Sequence, residues 1–139
     1  MLETTETPQN NVVSNTSAKK ILIVDDASFM RTVLKDLIKG NGLASEIIEA
    51  SDGIEGVKAY QAHKPDLVTM DVNMPRADGV QALRAILKIN PKAKVVMVTS
   101  VEQKEIVKDA MSLGARDYVV KPFDRSSVSL VLNKVLRQK

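Results

Sequence analysis

Ile21-Leu22-Ile23-Val24-Asp25-Asp26 decides the reading of the fold. Four apolar residues in a row, three of them β-branched, suit a short strand buried on both faces, as in a parallel sheet. Two acids follow directly. In open α/β sheets ligands bind beyond the carboxyl ends of the strands. The same six residues therefore mark both a central strand and one edge of a site.

Outward from this strand the chain alternates. Phe29, Val33, Leu34, Leu37 and Ile38 fall on one stripe of an amphipathic helix that stops near Gly40 and Gly42. A weak strand is expected around Ile47-Ile48. The next helix starts near Asp52, with Glu55 placed three residues on for a capping box, and ends before Pro65. Residues 66–70 read as a third strand. Val80, Leu83, Ile86 and Leu87 mark a third helix, closed by Asn90-Pro91. Residues 95–98 read as a fourth strand. A helix over 103–113 runs into Gly114, the usual C-terminal glycine. Residues 118–120 read as a fifth strand. Asp124 then caps a last helix with Val128, Val131, Leu132, Val135 and Leu136 on one face.

Five strands alternating with five helices predict one α/β domain, a parallel sheet covered on both faces by right-handed crossovers. Residues 1–18 are polar, and Leu2, Val12 and Val13 show no period. Such a segment buries too little surface to offset its ordering entropy, so a disordered tail is expected, with the folded domain at 19–139. After the last helix no output domain is expected.

Bulk properties narrow the classes. The 139 residues are 44% hydrophobic and 27% charged, ordinary for a soluble globular domain. Aromatics are 3%, so Val, Ile, Leu, Met and Ala must build the core. Without Cys there are no disulfides and no thiolate chemistry. The net charge is +3, but 20 basic residues face 17 acidic ones without a dense basic block. A mixed solvated surface is expected, and no nucleic-acid partner. No apolar run is long enough to span a bilayer, and a polar start with Glu3 and Glu6 is unlike a signal peptide. Neither membrane insertion nor secretion is expected; the cytoplasm is the default address.

Chemistry-bearing residues stand at four strand ends. Asp25 and Asp26 follow the first strand, Asp71 and Asn73 the third. Thr99 and Ser100 end the fourth, and Lys121-Pro122 follows the fifth. Each has a plain explanation alone: a turn and cap for Asp25-Asp26, a loop acid for Asp71, a helix cap for Thr99-Ser100, a surface lysine for Lys121. Together they converge on one edge. Three carboxylates there repel one another unless a counter-charge intervenes. Mg²⁺, with its demand for oxygen ligands, meets that need. Lys121 adds a compact positive charge and Thr99 a hydroxyl. The set suits a phosphoryl group carried on a carboxylate, with Asp71 as nucleophile. His63 reads as a surface residue, and Met70, Met74, Met97 and Met111 as packing.

The strand Ile21-Leu22-Ile23-Val24-Asp25-Asp26, the segment Asp71-Val72-Asn73-Met74-Pro75 with Asp78-Gly79, the turn Val98-Thr99-Ser100 and the run Tyr118-Val119-Val120-Lys121-Pro122-Phe123 resemble the receiver domain of two-component response regulators. The likeness is greatest to stand-alone chemotaxis regulators of the CheY type. It covers about 19–136. It implies a flavodoxin-like (βα)5 fold with strand order 2-1-3-4-5, an order for which CheY is itself a standard example. It further implies Asp71 as phosphoacceptor, and Asp25, Asp26, Asp71 and the Asn73 carbonyl around Mg²⁺, with Asp25 acting through water. Thr99 and Tyr118 would be the switch pair. Lys121 would contact the phosphoryl group, ahead of a cis bond to Pro122. Asn73 and Val101 would border the path of the hydrolytic water; the enteric chemotaxis type has an acid at the position of Val101. A histidine kinase of the CheA kind would be the donor, a flagellar motor switch component the target, and the chain a monomer.

Three functions compete on these residues. One is a messenger whose affinity for a protein target is set by phosphorylation. Another is a phosphate sink or relay intermediate with no output contact. The third, a true hydrolase acting through an aspartyl phosphate, usually has a second Asp two residues past the nucleophile, where this chain has Asn73; nor is there a G-x-x-x-x-G-K-[ST] loop for nucleotide. Any catalysis is therefore expected to be confined to the domain's own phosphorylation and dephosphorylation. For output, the face of the fourth helix, fifth strand and fifth helix is expected. On it, Ile106, Ala110 and Leu113 would face the core. Val107 and Met111 would form a second, free stripe beside Lys104 and Lys108, unless they pack under the last helix.

Overall fold

Lys20–Val24 forms strand β1, and its register fixes everything around it. In the computed structural model, which describes residues 19–74 and 78–139, β1 lies between β2 (Glu46–Ala50) and β3 (Leu67–Asp71), parallel to both. Beyond β3 lie β4 (Val95–Ser100) and β5 (Asp117–Lys121), also parallel. The sheet order is β2-β1-β3-β4-β5, the flavodoxin-like order that the resemblance implied. Between the strands run α1 (Ser28–Gly40), α2 (Gly53–His63), α3 (Gly79–Ile89) and α4 (Lys104–Leu113), and α5 (Arg125–Arg137) follows β5. The expected tail, 1–18, and Pro75 after Met74 lie outside the described residues.

The two-residue period of the strands sorts the core into two layers. Ile21 and Ile23 pack with Leu34, Leu37 and Ile38 of α1 and Val128, Leu132 and Val135 of α5. Leu22 and Val24 face the other way, onto Tyr60 of α2, Leu83 and Ile86 of α3 and Ala110 of α4. All four β1 residues from Ile21 to Val24 are at most 1% exposed. Each such side chain contributes about 1.5–3 kcal/mol on burial. The continuous apolar run of β1 is thus the direct result of covering the sheet on both sides.

Local signals set the helix ends. The Asp52 carboxylate accepts from Glu55 N at 2.8 Å, and Glu55 reaches back to Ser51 N and Oγ. Asp78 and Gln81 form a reciprocal capping box on α3. Asp124 accepts from Ser127 N and closes the start of α5. Gly114 at φ 127° ends α4, a conformation that a side chain would strain.

Two expectations fail in this layer. Phe29 is 75% exposed rather than part of the α1 stripe. It sits in the first turn of α1, and helical side chains lean toward the N-terminus, away from the later turns that carry Leu34, Leu37 and Ile38 into the core. In α4, Ala110 and Leu113 face the core as expected, but Ile106 is 38% exposed while Val107 is 8% exposed, so Val107 takes the inward place expected of Ile106. Val107 belongs to the packed side and is not a free partner residue, although it does floor the groove described below.

Gly79 is the point of closest approach. A Cβ there would run into the Asp71 carbonyl oxygen and lie 2.9 Å from Val72 Cα, backbone that cannot yield cheaply. Gly79 N also donates to Val72 O at 3.1 Å. Gly79→Ala is expected to lower stability by about 1–3 kcal/mol in urea unfolding. Gly40→Ala, with nothing within 4 Å of the new methyl, is expected to be neutral or slightly stabilising. Equal midpoints for the two variants would contradict the tight approach of α3 to β3.

Candidate functional site

Parallel strands end together, so the residues read at four strand ends meet at one edge. Asp71 is the last residue of β3 and Thr99 the penultimate residue of β4. Lys121 closes β5, and Asp25 and Asp26 follow β1. Asp25, Asp71 and Thr99 are buried, at 1%, 5% and 2% exposure. Asp26 and Asn73 are exposed on the rim.

Carboxylate oxygens of Asp25, Asp26 and Asp71 all lie within 4.8 Å of one another. Lys121 Nζ bridges two of them, 3.4 Å from Asp25 Oδ2 and 3.6 Å from Asp71 Oδ1. Ala27 N donates to Asp25 Oδ1 at 2.9 Å, and Asn73 N makes a longer contact of 3.4 Å to Asp71 Oδ1. Burial, and next the negative charge of Asp25, push the Asp71 carboxyl up to about 6; Lys121 and the Asn73 N–H offset this only in part. One ammonium thus stands against three carboxylates.

Two residues that build the site went unread in the sequence. Arg31 Nη1 donates to the Asp25 carbonyl at 2.6 Å while its Nε holds Glu49 on β2 at 2.9 Å, which pins the β1–α1 turn. Gln103 Oε1 accepts from Thr99 Oγ1, Ser100 N and Ser100 Oγ, each at 3.0 Å. A basic residue four positions into a helix, or an amide at a helix start, carries no distinctive pattern, so neither announces itself in a single sequence.

Beside Thr99 an apolar groove of about 650 Å³ opens between α4 and β5. Val107 and Val120 lie within it, with Met111, Tyr118, Lys104 and Lys108 around it. Tyr118 is 43% exposed, its ring outward, and Met111 is 37% exposed. Val101 is exposed at the mouth between groove and site. The switch-pair and partner-face candidates, Val107 included, therefore border one continuous surface.

The model of the response regulator receiver domain family matches residues 21–133. The chain belongs to this family. Among relatives of this receiver, the chemotaxis protein CheY of Thermotoga maritima is 47% identical over 118 residues, 84% of this chain and 97% of the relative. CheY of Bacillus subtilis is 44% identical over 119 residues, covering 86% and 98%. Among solved structures, the CheX–CheY–BeF3–Mg complex of Borrelia burgdorferi aligns with a TM-score of 0.82 at 31% identity, over 90% of this chain and 94% of that one. Lys121-Pro122 is cis, as the resemblance implied. No helix among the described residues is long and apolar enough to cross a membrane.

The receiver's acidic edge fits the Mg²⁺ that its family binds. The donors are all hard oxygens, one carboxyl is held above its ordinary range by burial and then by the charge of Asp25, and a single lysine undercompensates the cluster. Stability should report this frustration. The Asp71 pKa rises from 3.8 to about 6 on folding. Between those values the folded state keeps a proton that the unfolded chain has lost, so stability falls as pH rises through that window. In metal-free buffer at pH 7, Asp71→Asn is expected to unfold at higher urea than the wild type, by about 1–3 kcal/mol. The difference should vanish below pH 4. Thermal or urea melts at both pH values check it; an equally stable or weaker variant at pH 7 would contradict the cost of burying an ionised Asp71 beside Asp25.

Proposed function

We propose that this chain is a phosphorylation-activated response regulator that receives a phosphoryl group on Asp71 and thereby changes its affinity for a protein target in chemotaxis. Residues 19–139 act as the receiver unit, in the cytoplasm. The observation that carries the reading is the environment of Asp71. It is a buried carboxylate at a strand end, with Lys121 at 3.6 Å and the oxygens of Asp25 and Asp26 within 4.8 Å. The CheY relatives, and the CheX–CheY neighbour solved with BeF3 and Mg, support both the metal and the setting.

The chemistry follows from the charges. Asp25, Asp26, Asp71 and the Asn73 carbonyl would hold Mg²⁺, which when bound neutralises carboxylate and phosphoryl charge. An Asp71 carboxylate oxygen attacks phosphorus. The bond to the donor breaks, releasing the imidazole of a phosphohistidine or the acetate of acetyl phosphate. Lys121, tied to Asp25 and Asp71, places its ammonium beside the incoming phosphoryl oxygens. The Thr99 hydroxyl turns toward the same oxygens. The space that it leaves lets Tyr118 rotate inward, which remakes the α4–β5 face. Asn73 and Val101 flank the approach of water, so they tune the lifetime of the phosphorylated state.

The donor is a histidine kinase of the CheA kind, and the target a motor switch component or a protein of equivalent role. A messenger is favoured over a phosphate sink by the α4–β5 groove, since a sink needs no apolar surface coupled to Thr99 and Tyr118. The chain acts as a monomer, and its only catalysis is on its own Asp71.

Incubation with acetyl phosphate and Mg²⁺ is expected to label the wild type stoichiometrically, seen as one added phosphate by intact mass. Asp71→Asn should stay unlabelled. Full labelling of that variant would remove Asp71 from its role. Met111→Asp places a charge on the rim of the groove, away from the acids. It is expected to keep phosphorylation within about twofold and to abolish swarming or tumbling control in cells. Wild-type behaviour of Met111→Asp in cells would favour the sink.

A further inference from the structure

A buried hydroxyl needs a hydrogen-bond partner, and the Thr99 hydroxyl has a choice. At 2% exposure it reaches Gln103 Oε1 at 3.0 Å and, less well, the Ser100 carbonyl at 3.3 Å. The Gln103 oxygen is also claimed by Ser100 N and Ser100 Oγ, both at 3.0 Å. The backbone N–H of Ser100 can only donate, so it is the oxygen of the carboxamide that faces this cluster. Gln103 stands at the N-terminal boundary of α4, yet its side chain caps no N–H of that helix. It reaches back to β4 instead.

An amide oxygen has two lone pairs, so three donors oversubscribe it and one must yield. Ser100 Oγ has a single proton and an alternative acceptor in the Glu102 carboxylate, whose pKa it lowers by hydrogen bonding, which leaves Thr99 Oγ1 and Ser100 N on the Gln103 oxygen. If Thr99 leaves, Gln103 still holds the Ser100 N–H, so no buried group is orphaned there. The contact is strong enough to fix a rotamer and cheap to break, because only one hydroxyl moves.

We infer that the Gln103 carboxamide is the off-state keeper of the switch hydroxyl. It positions Thr99 toward α4 and so sets how much phosphoryl binding energy is needed to turn the switch. The inference rests on the phosphoacceptor reading of Asp71 and deepens it. Gln103 touches no reacting atom; it acts through Thr99. Losing a contact made only in the off state raises the share of the responsive state, and hence the apparent affinity for any ligand that selects it.

The test uses the full chain with saturating Mg²⁺ and BeF3⁻ as a phosphoryl mimic, followed by NMR amide shifts of β4 and β5. Gln103→Met keeps length and removes the acceptor; Gln103→Glu keeps an oxygen at the same place; Gln103→Ala guards against misfit of the thioether. The Met and Ala variants are expected to half-saturate at roughly 3- to 10-fold lower BeF3⁻, about the equilibrium weight of one hydrogen bond. The Glu variant should stay near the wild type. In ligand-free protein, couplings to the Thr99 methyl should show one χ1 rotamer in the wild type and averaging in the Met variant. Unchanged or weaker BeF3⁻ binding in both Met and Ala variants, with a single Thr99 rotamer, would overturn the inference, as would a Glu variant that follows them. A wild type that does not bind BeF3⁻ at all would overturn the phosphoacceptor reading itself, and the inference with it.

Discussion

Like charges brought together at the edge of a sheet set the terms for the rest of this molecule. Asp25, Asp26 and Asp71 are held within reach of one another by β1 and β3, and one ammonium, from Lys121, partly answers them. Burial of Asp71, and next the charge of Asp25 beside it, make the ionised site costly in metal-free protein, and both raise the Asp71 pKa. The apolar layers on both faces of β1 offset the cost, and the tight approach of Gly79 holds β3 in place. The site is thus a region of deliberate electrostatic conflict carried by an otherwise conventional core.

Much of this was legible because strands and caps leave direct traces. The run from Ile21 to Val24 reads as a doubly buried strand because every side chain must meet an apolar neighbour, and it does. Asp52, Asp124 and Gly114 mark helix ends through chemistry that few other residues supply. The acids, Thr99 and Lys121 could be placed at one edge because parallel strands end together. The strand order came from the family likeness; alternation alone does not fix it.

What escaped was rotation and reach. Ile106 and Val107 are adjacent and equally apolar, so a short helix gives no pattern strong enough to say which turns inward. In the fold it is Val107 that turns inward, at 8% exposure against 38% for Ile106. Phe29 fits the α1 stripe by spacing, but spacing does not reveal that the first turn of the helix leaves its side chain in solvent. Gln103 and Arg31 act through long side chains that fold back on neighbouring strands. Their partners are set by tertiary geometry, which no local window contains.

The Arg31 clamp has a mechanical consequence. On the β1 side, the Asp25 carbonyl is tied through Arg31 to Glu49, Lys35 reinforces Glu49 at 2.8 Å, and Asp25 N donates to Ala50 O at 3.1 Å. On the β4 side, the turn after Thr99 is closed by Gln103 N donating to Ser100 O at 3.1 Å and by the shared Gln103 amide oxygen. Ion pairs thus brace one bank of the cleft, and hydrogen bonds among Thr99, Ser100 and Gln103 the other. The output face proposed above lies on the bank without the charged clamp, where a turning hydroxyl leaves neutral partners only.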